Sequence, residues 1–222
     1  MADGTIVRTT SDRCLARSPR VRRRPAPRSG PGFSLIELLV VISIIGVILG
    51  ITLPMLPRAW DTARRSACAA SLHGVGQGFQ LYRNDNNDKF PKARYMPPPW
   101  LSRDPDPPIT EVLKKYIEPV GDAYRCPGDR IVHGYEYTDA NGQTRTCGSS
   151  YTYVVSLSGN AYEQTFFFRF LKLGPSDTPV SYDFDGGTFE TQTGDQVQVK
   201  FFHASRNVLF VDSHVGRYGE NP

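Results

Sequence analysis

Gly32-Phe33-Ser34-Leu35-Ile36-Glu37-Leu38-Leu39-Val40-Val41-Ile42-Ser43-Ile44-Ile45-Gly46-Val47-Ile48 decides how this chain is built. From Leu35 to Leu53 almost every residue is apolar. At a rise of ~1.5 Å per residue, a helix of that length crosses most of a ~30 Å hydrocarbon layer. One carboxylate, Glu37, interrupts the run near its start. An ionisable group costs ~2.5–3.5 kcal/mol at the bilayer centre, so Glu37 needs a partner or a role. A plain signal anchor whose Glu37 snorkels to the headgroups satisfies these facts on their own.

Ahead of the run lies a basic leader. Residues 1–32 hold eight Arg and two Asp, a net +6, so of the chain's net charge of +4 the remainder carries −2. The chain beyond the leader is too acidic for a nucleic-acid binder, and no nucleic acid is required. The arginines fit the positive-inside rule instead: they hold the leader in the cytoplasm and send the carboxyl-terminal part outward. Arg, Pro, Ser and Gly dominate the leader and it has no apolar core, which marks a processing segment.

Beyond the apolar run, Pro54 and Pro57 remove backbone donors and bend the helix. Cys68, Leu72, Val75, Phe79 and Tyr82 then recur at spacings of four and three, the stripe of an amphipathic helix. Cys68 reads as a small packing residue on that stripe, and Gly74, Gly76 and Gly78 read as close packing or a break. The Asn84–Asp88 run ends the helix. A proline-rich loop comes next, and Thr110–Ile117 is expected as a short helix capped by Thr110 with Leu113, Tyr116 and Ile117 inward. Strands are expected at 151–155, 166–170, 180–183, 197–202 and 208–211, with Asp212-Ser213 turning the chain into a last strand bearing Val215. The fold class is α+β: a long helix packed on an antiparallel sheet.

Gly-Phe-Ser-Leu-Ile-Glu followed by an apolar helix with Pro54 inside it resembles the cleavage and N-methylation site of type IV prepilins and type II secretion pseudopilins. The resemblance implies cleavage by a prepilin peptidase after Gly32, methylation of the new amino terminus at Phe33, and a role in assembly for Glu37. Glycine lets the peptide lie close in a protease groove. Glu37 lies one turn beyond Phe33, where its carboxylate can meet the Phe33 ammonium of a neighbouring subunit and remove two unpaired charges at once. The implied organisation is a leader at 1–32, a transmembrane and assembly helix at 33–57, its amphipathic continuation at 58–83, and a periplasmic α+β domain at 84–222. The implied protein is a single-pass inner-membrane subunit, not an enzyme. Its partners would be the peptidase, other pilin or pseudopilin subunits and an assembly platform, and it would end in a filament.

Four cysteines are present, and Cys14 leaves with the leader. In a periplasmic domain a Cys126–Cys147 disulfide would close a loop of about 20 residues and contribute about 3 kcal/mol. Asp183-Phe184-Asp185-Gly186-Gly187 offers two carboxylates beside glycines, a calcium candidate though not an EF-hand. The segment from His203 to Val215 is similar to the carboxyl-terminal element of a pilin-like family abundant in planctomycetes, named for a His, nine residues, then Asp-Gly. Here eight residues separate His203 from Asp212, and Ser213 replaces the glycine. Arg125-Cys126-Pro127-Gly128-Asp129 resembles another segment of those proteins. Two other functions stay open: a metal-dependent enzyme built on His203, Asp212, His214, Asp183 and Asp185, and an anchored binding module using exposed Tyr95, Trp100 and Tyr135.

Overall fold

The computed structural model describes residues 32–118, 122–139 and 141–218. The leader, apart from Gly32, and the last four residues lie outside the described residues. The chain divides into two compact units, one ending at Gly50 and the other beginning at Ile51.

Helix α1 spans Leu35–Thr52 and none of its residues is buried. Leu53–Met55 forms one turn of tighter 3-10 helix around Pro54. The proline ring has no N–H and crowds the preceding turn, so the ordinary ladder cannot pass through it. Helix α2 resumes at Leu56 with Pro57 in its first turn and runs to Asp85. A proline there costs nothing, since that turn's N–H groups have no partner inside the helix.

In the second unit, α2 lies on a four-stranded antiparallel sheet. Two small hairpins flank that sheet: β1 (Glu136–Thr138) with β2 (Thr144–Thr146), and β5 (Gly187–Glu190) with β6 (Gln196–Val199). The main sheet runs in the order β3 (Tyr151–Tyr153), β4 (Pro179–Asp183), β7 (Arg206–Phe210), β8 (Val215–Tyr218). Asp212-Ser213 makes the β7–β8 turn, with Ser213 at φ 72°. This is the α+β fold the hydrophobic pattern predicts.

The stripe on α2 holds this unit together. Cys68, Leu72, Val75 and Phe79 are at most 3 % exposed and join the main core. Burying a large apolar side chain such as Leu72 or Phe79 stabilises by about 1.5–3 kcal/mol. Phe79 stacks on Tyr153 with ring centroids 5.6 Å apart. The helix also grips the β7–β8 turn through polar groups. Gln80 Nε2 donates to Val211 O at 2.7 Å, and His73 Nδ1 lies 2.9 Å from Ser213 O. Gly76 and Gly78 mark close packing and not a break. A Cβ on Gly76 would lie 2.7 Å from Leu209 Cδ1, and one on Gly78 would enter Ile117.

A second, aromatic core forms beneath the hairpin of β5 and β6. Trp100, Val132, Cys147, Phe184 and Val199 are its buried members. Gly186 turns the chain from β4 into β5 at φ +70°, and any Cβ there would run into the Phe201 ring. Gly186→Ala is therefore expected to destabilise the chain by about 2 kcal/mol in chemical unfolding, from backbone strain and overpacking together.

Two helices differ from the sequence reading, and the strand expected at 197–202 ends at Val199. The composition of residues 166–170 predicts a strand, but Phe166–Arg169 is helix α4, whose cap Thr165 accepts a hydrogen bond from Phe168 N–H at 3.4 Å. Helix α3 is only Ile109–Val112 and starts after Pro108, so Thr110 is buried and not a cap. Leu113 does face the core.

Candidate functional site

The amino-terminal site begins as irregular chain at Gly32–Ser34, with Phe33 86 % exposed. Ser34 then caps α1. Its Oγ accepts from Ile36 N–H at 3.4 Å, while the Glu37 carboxylate reaches back to accept from Ser34 N–H at 2.9 Å. Together these bonds approximate a capping box, written in the sequence as Ser-x-x-Glu, with the serine hydroxyl taking the N–H of the second helical residue in place of the third. Glu37 also sits in the first turn, where the helix dipole favours an anion. Farther along, the Ser43 hydroxyl donates to Leu39 O at 2.7 Å and presents no unpaired polar group to its surroundings. Among the described residues, the helix beginning at Leu35 is the one long and apolar enough to cross a membrane.

The other sequence-predicted residues fall into two places. His203 precedes β7 and Asp212 comes after it, so the proposed His203–Asp212–His214 trio does not converge. Asp212 Oδ1 instead pairs locally with His214 Nδ1 at 2.6 Å. Asp183 and Asp185 are both buried. Asp185 Oδ1 accepts from Arg206 Nε at 2.8 Å and its Oδ2 from Phe202 N–H at 2.9 Å. Asp183 Oδ2 accepts from Asn207 N–H at 2.8 Å. With a guanidinium on Asp185 and thiols beside Asp183, this donor set does not fit calcium, which takes six to eight oxygens.

The expected Cys126–Cys147 disulfide is not formed; both are free, buried thiols. The reason is placement. Cys147 packs in the aromatic core with Trp100, whereas Cys126 belongs to the main core under α2. Trp100 is likewise a correction: it is fully buried, with Tyr135 centred 5.2 Å away, so it offers no exposed binding surface.

Sequence reasoning missed what Cys126 does meet. Cys126 Sγ lies 3.0 Å from His203 Nε2, and the Cys68, Cys126 and His203 donor atoms all fall within 4.8 Å of one another. Cys68 Sγ is 3.5 Å from Asp183 Oδ1 and 3.5 Å from the Tyr151 hydroxyl. The loop bearing Cys126 is rigid. Asp129 accepts from the N–H groups of Ile131, Val132 and His133 at 2.7–2.8 Å and from the Ser150 hydroxyl at 2.7 Å. Ser150 Oγ in turn accepts from Cys126 N–H at 3.0 Å.

Protons are shared unevenly across this cluster. The Cys68 hydrogen bond, followed by that to His203, lowers Cys126 to about 6, against the effect of burial. The same bond to Cys126, together with burial, pushes Cys68 up and keeps it a thiol. Burial, then the Cys126 charge, raises Asp183 to about 7. Burial works against a charged His203, but its bond to Cys126 and the surrounding negative groups raise it overall.

Residues 31–53 match the family model for the prokaryotic N-terminal methylation motif. Over 60 residues the chain is 37 % identical to the type IV wide pilus major component PilA4 of Thermus thermophilus. That match covers 27 % of this chain and 46 % of the relative, so the chain spans about half the length of the curated relative it matches. No solved structure matches. The capped apolar helix, the methylation motif that contains it and the pilin relative together support a prepilin- or pseudopilin-like assignment.

Proposed function

We propose that this protein is a filament subunit of a type IV pilus-like or type II secretion pseudopilus-like assembly. A prepilin peptidase cuts after Gly32 on the cytoplasmic side and methylates Phe33. The helix from Phe33 first holds the chain in the inner membrane as a single span, with residues 84–222 in the periplasm. It then moves from lipid into a bundle of like helices, on an assembly platform and beside its own or related subunits.

One observation carries this reading: an 18-residue apolar helix with no residue buried in the protein, preceded by a glycine and closed at its start by a single carboxylate. So large an exposed apolar surface needs a covering of lipid or of other subunits. Glu37 is spent on Ser34 N–H while the precursor is intact. Cleavage places a charged amine one turn away, and the carboxylate gains an ionic partner at the moment the subunit becomes able to assemble.

Intact mass of the chain produced together with a prepilin peptidase tests processing. The expected product lacks residues 1–32 and carries one methyl group on Phe33. A full-length, unmethylated chain in peptidase-positive cells would contradict the reading.

A further inference from the structure

We propose that Cys68, Cys126 and His203 bind a zinc ion that staples α2 to the sheet, with Asp183, which reaches Cys68 but stands outside the cluster of mutually close donors, drawn in as the fourth ligand. The site is independent of filament assembly and joins four distant chain segments: the middle of α2, the Cys-Pro-Gly loop, the end of β4 and the approach to β7.

The geometry suits the ion. Zinc lies about 2.3 Å from sulfur and about 2.0 Å from nitrogen or oxygen, so tetrahedral ligand atoms stand about 3.3–3.8 Å apart. Cys68 Sγ and Asp183 Oδ1 are already 3.5 Å apart, and Cys126 Sγ and His203 Nε2, at 3.0 Å, need open only slightly. Two thiolates with an imidazole favour zinc over calcium or magnesium.

The surroundings hold these atoms ready. Gly128 must be glycine, since a Cβ would lie 2.8 Å from His203 Cε1 and 2.9 Å from Phe202 O. Asn207 N–H fixes Asp183 through Oδ2 and leaves Oδ1 toward the cluster. Outer partners of this kind orient metal ligands. Two thiolates and a carboxylate around Zn²⁺ leave one negative charge, and Arg65 lies close enough to feel both Asp183 and Cys68. A cavity of about 640 Å³, lined in part by Arg65, Gly128 and His203, gives the ion a way in. Binding sends the thiol protons of Cys68 and Cys126, with any proton on Asp183 or His203, to solvent. Nothing is oxidised or reduced.

The test uses the full chain, purified in detergent under reducing conditions without chelator. Elemental analysis is expected to find one zinc per chain. After chelation, titrated Co²⁺ should give a tetrahedral visible spectrum with thiolate charge-transfer bands, bleached by one equivalent of Zn²⁺. The zinc-loaded chain should melt about 10 °C above the chelated one. Cys126→Ser and His203→Ala should abolish the cobalt spectrum and Asp183→Asn should weaken binding at least tenfold. Cys147→Ser, in the other core, should bind as the wild type does. The proposal is overturned by a wild-type chain that gives no cobalt spectrum. Equal metal content in the Cys126→Ser and His203→Ala variants would overturn it too, as an adventitious ion only. So would peptide mapping that shows Cys68 and Cys126 bridged to each other in the chain isolated from cells. Because the wild-type stoichiometry and spectrum decide alone, a ligand variant that fails to fold does not protect the idea.

Discussion

Trp100→Ala is expected to lower the unfolding free energy of the full chain by about 4 kcal/mol, the cost of losing a large buried aromatic and leaving its cavity. The indole is fully buried between Tyr135 and Phe184, whose ring centroids lie 5.2 and 5.1 Å away. It also pins the proline-rich loop to the β5–β6 hairpin. Leu101 N–H donates to Glu190 O at 2.8 Å and Gln192 N–H to Pro99 O at 2.9 Å, one bond on each side of the ring. A domain is stable by only about 5–15 kcal/mol, so this one change removes a large share. Urea unfolding followed by near-ultraviolet dichroism measures it. Cys147, in the same core, should label faster with a thiol reagent in the variant. A loss below about 1 kcal/mol would show that the aromatic core contributes little.

Local pattern makes the helical half of this fold legible. An almost wholly apolar run of helix length leaves little choice, and the Cys68–Leu72–Val75–Phe79 stripe names the buried face of α2 in advance. The β7–β8 hairpin is readable from its turn at Asp212-Ser213, though not from alternation, since Asn207, Val208 and Leu209 are all buried and Phe210 is only half-buried. Runs without alternation mislead. Phe166-Phe167-Phe168 looks strand-like by composition, yet Thr165 caps it as a helical turn. The strand expected at 197–202 stops at Val199, and Phe202 gives its N–H to Asp185 instead of to a neighbouring strand.

The candidate sites divide in the same way. Glu37 stands out locally as the lone charge in an apolar run. Its capping role is also written there, in Ser34 three residues earlier, but the charge draws the eye first. The Cys68–Cys126–His203 cluster spans most of the domain, so no spacing rule reaches it. Its one local trace is Cys126-Pro127-Gly128, where the residue two positions on must be small to clear the His203 ring. Pairing Cys126 with Cys147 fails because nearness in sequence is a poor guide once each residue points into a different core.

Glu37→Gln is expected to reduce filament yield at least a hundredfold while cleavage after Gly32 continues. Glutamine still serves as the third residue of a capping box, so α1 keeps its start and the substitution removes charge alone. Leaving the Phe33 ammonium unpaired in an apolar bundle costs about 3–5 kcal/mol, more than a factor of one hundred for each docking event. Glu37→Ala loses both the charge and the cap, and should assemble no better. Sheared-fraction yield and immunoblotting of processed subunit separate assembly from cleavage. Wild-type yield from the glutamine variant would mean that the carboxylate caps the helix and does nothing more.

The central claim is that α1 exchanges lipid for other helices of its kind, and a photo-reactive residue replacing Ile42 examines that exchange most directly. Ile42 lies near the middle of the apolar run and is 59 % exposed. In peptidase-positive cells, illumination should join α1 to α1 of a second subunit of this type, and adding Glu37→Gln should abolish that product. Adducts with lipid alone, in the presence and absence of Glu37, would contradict the claim and leave α1 a simple anchor.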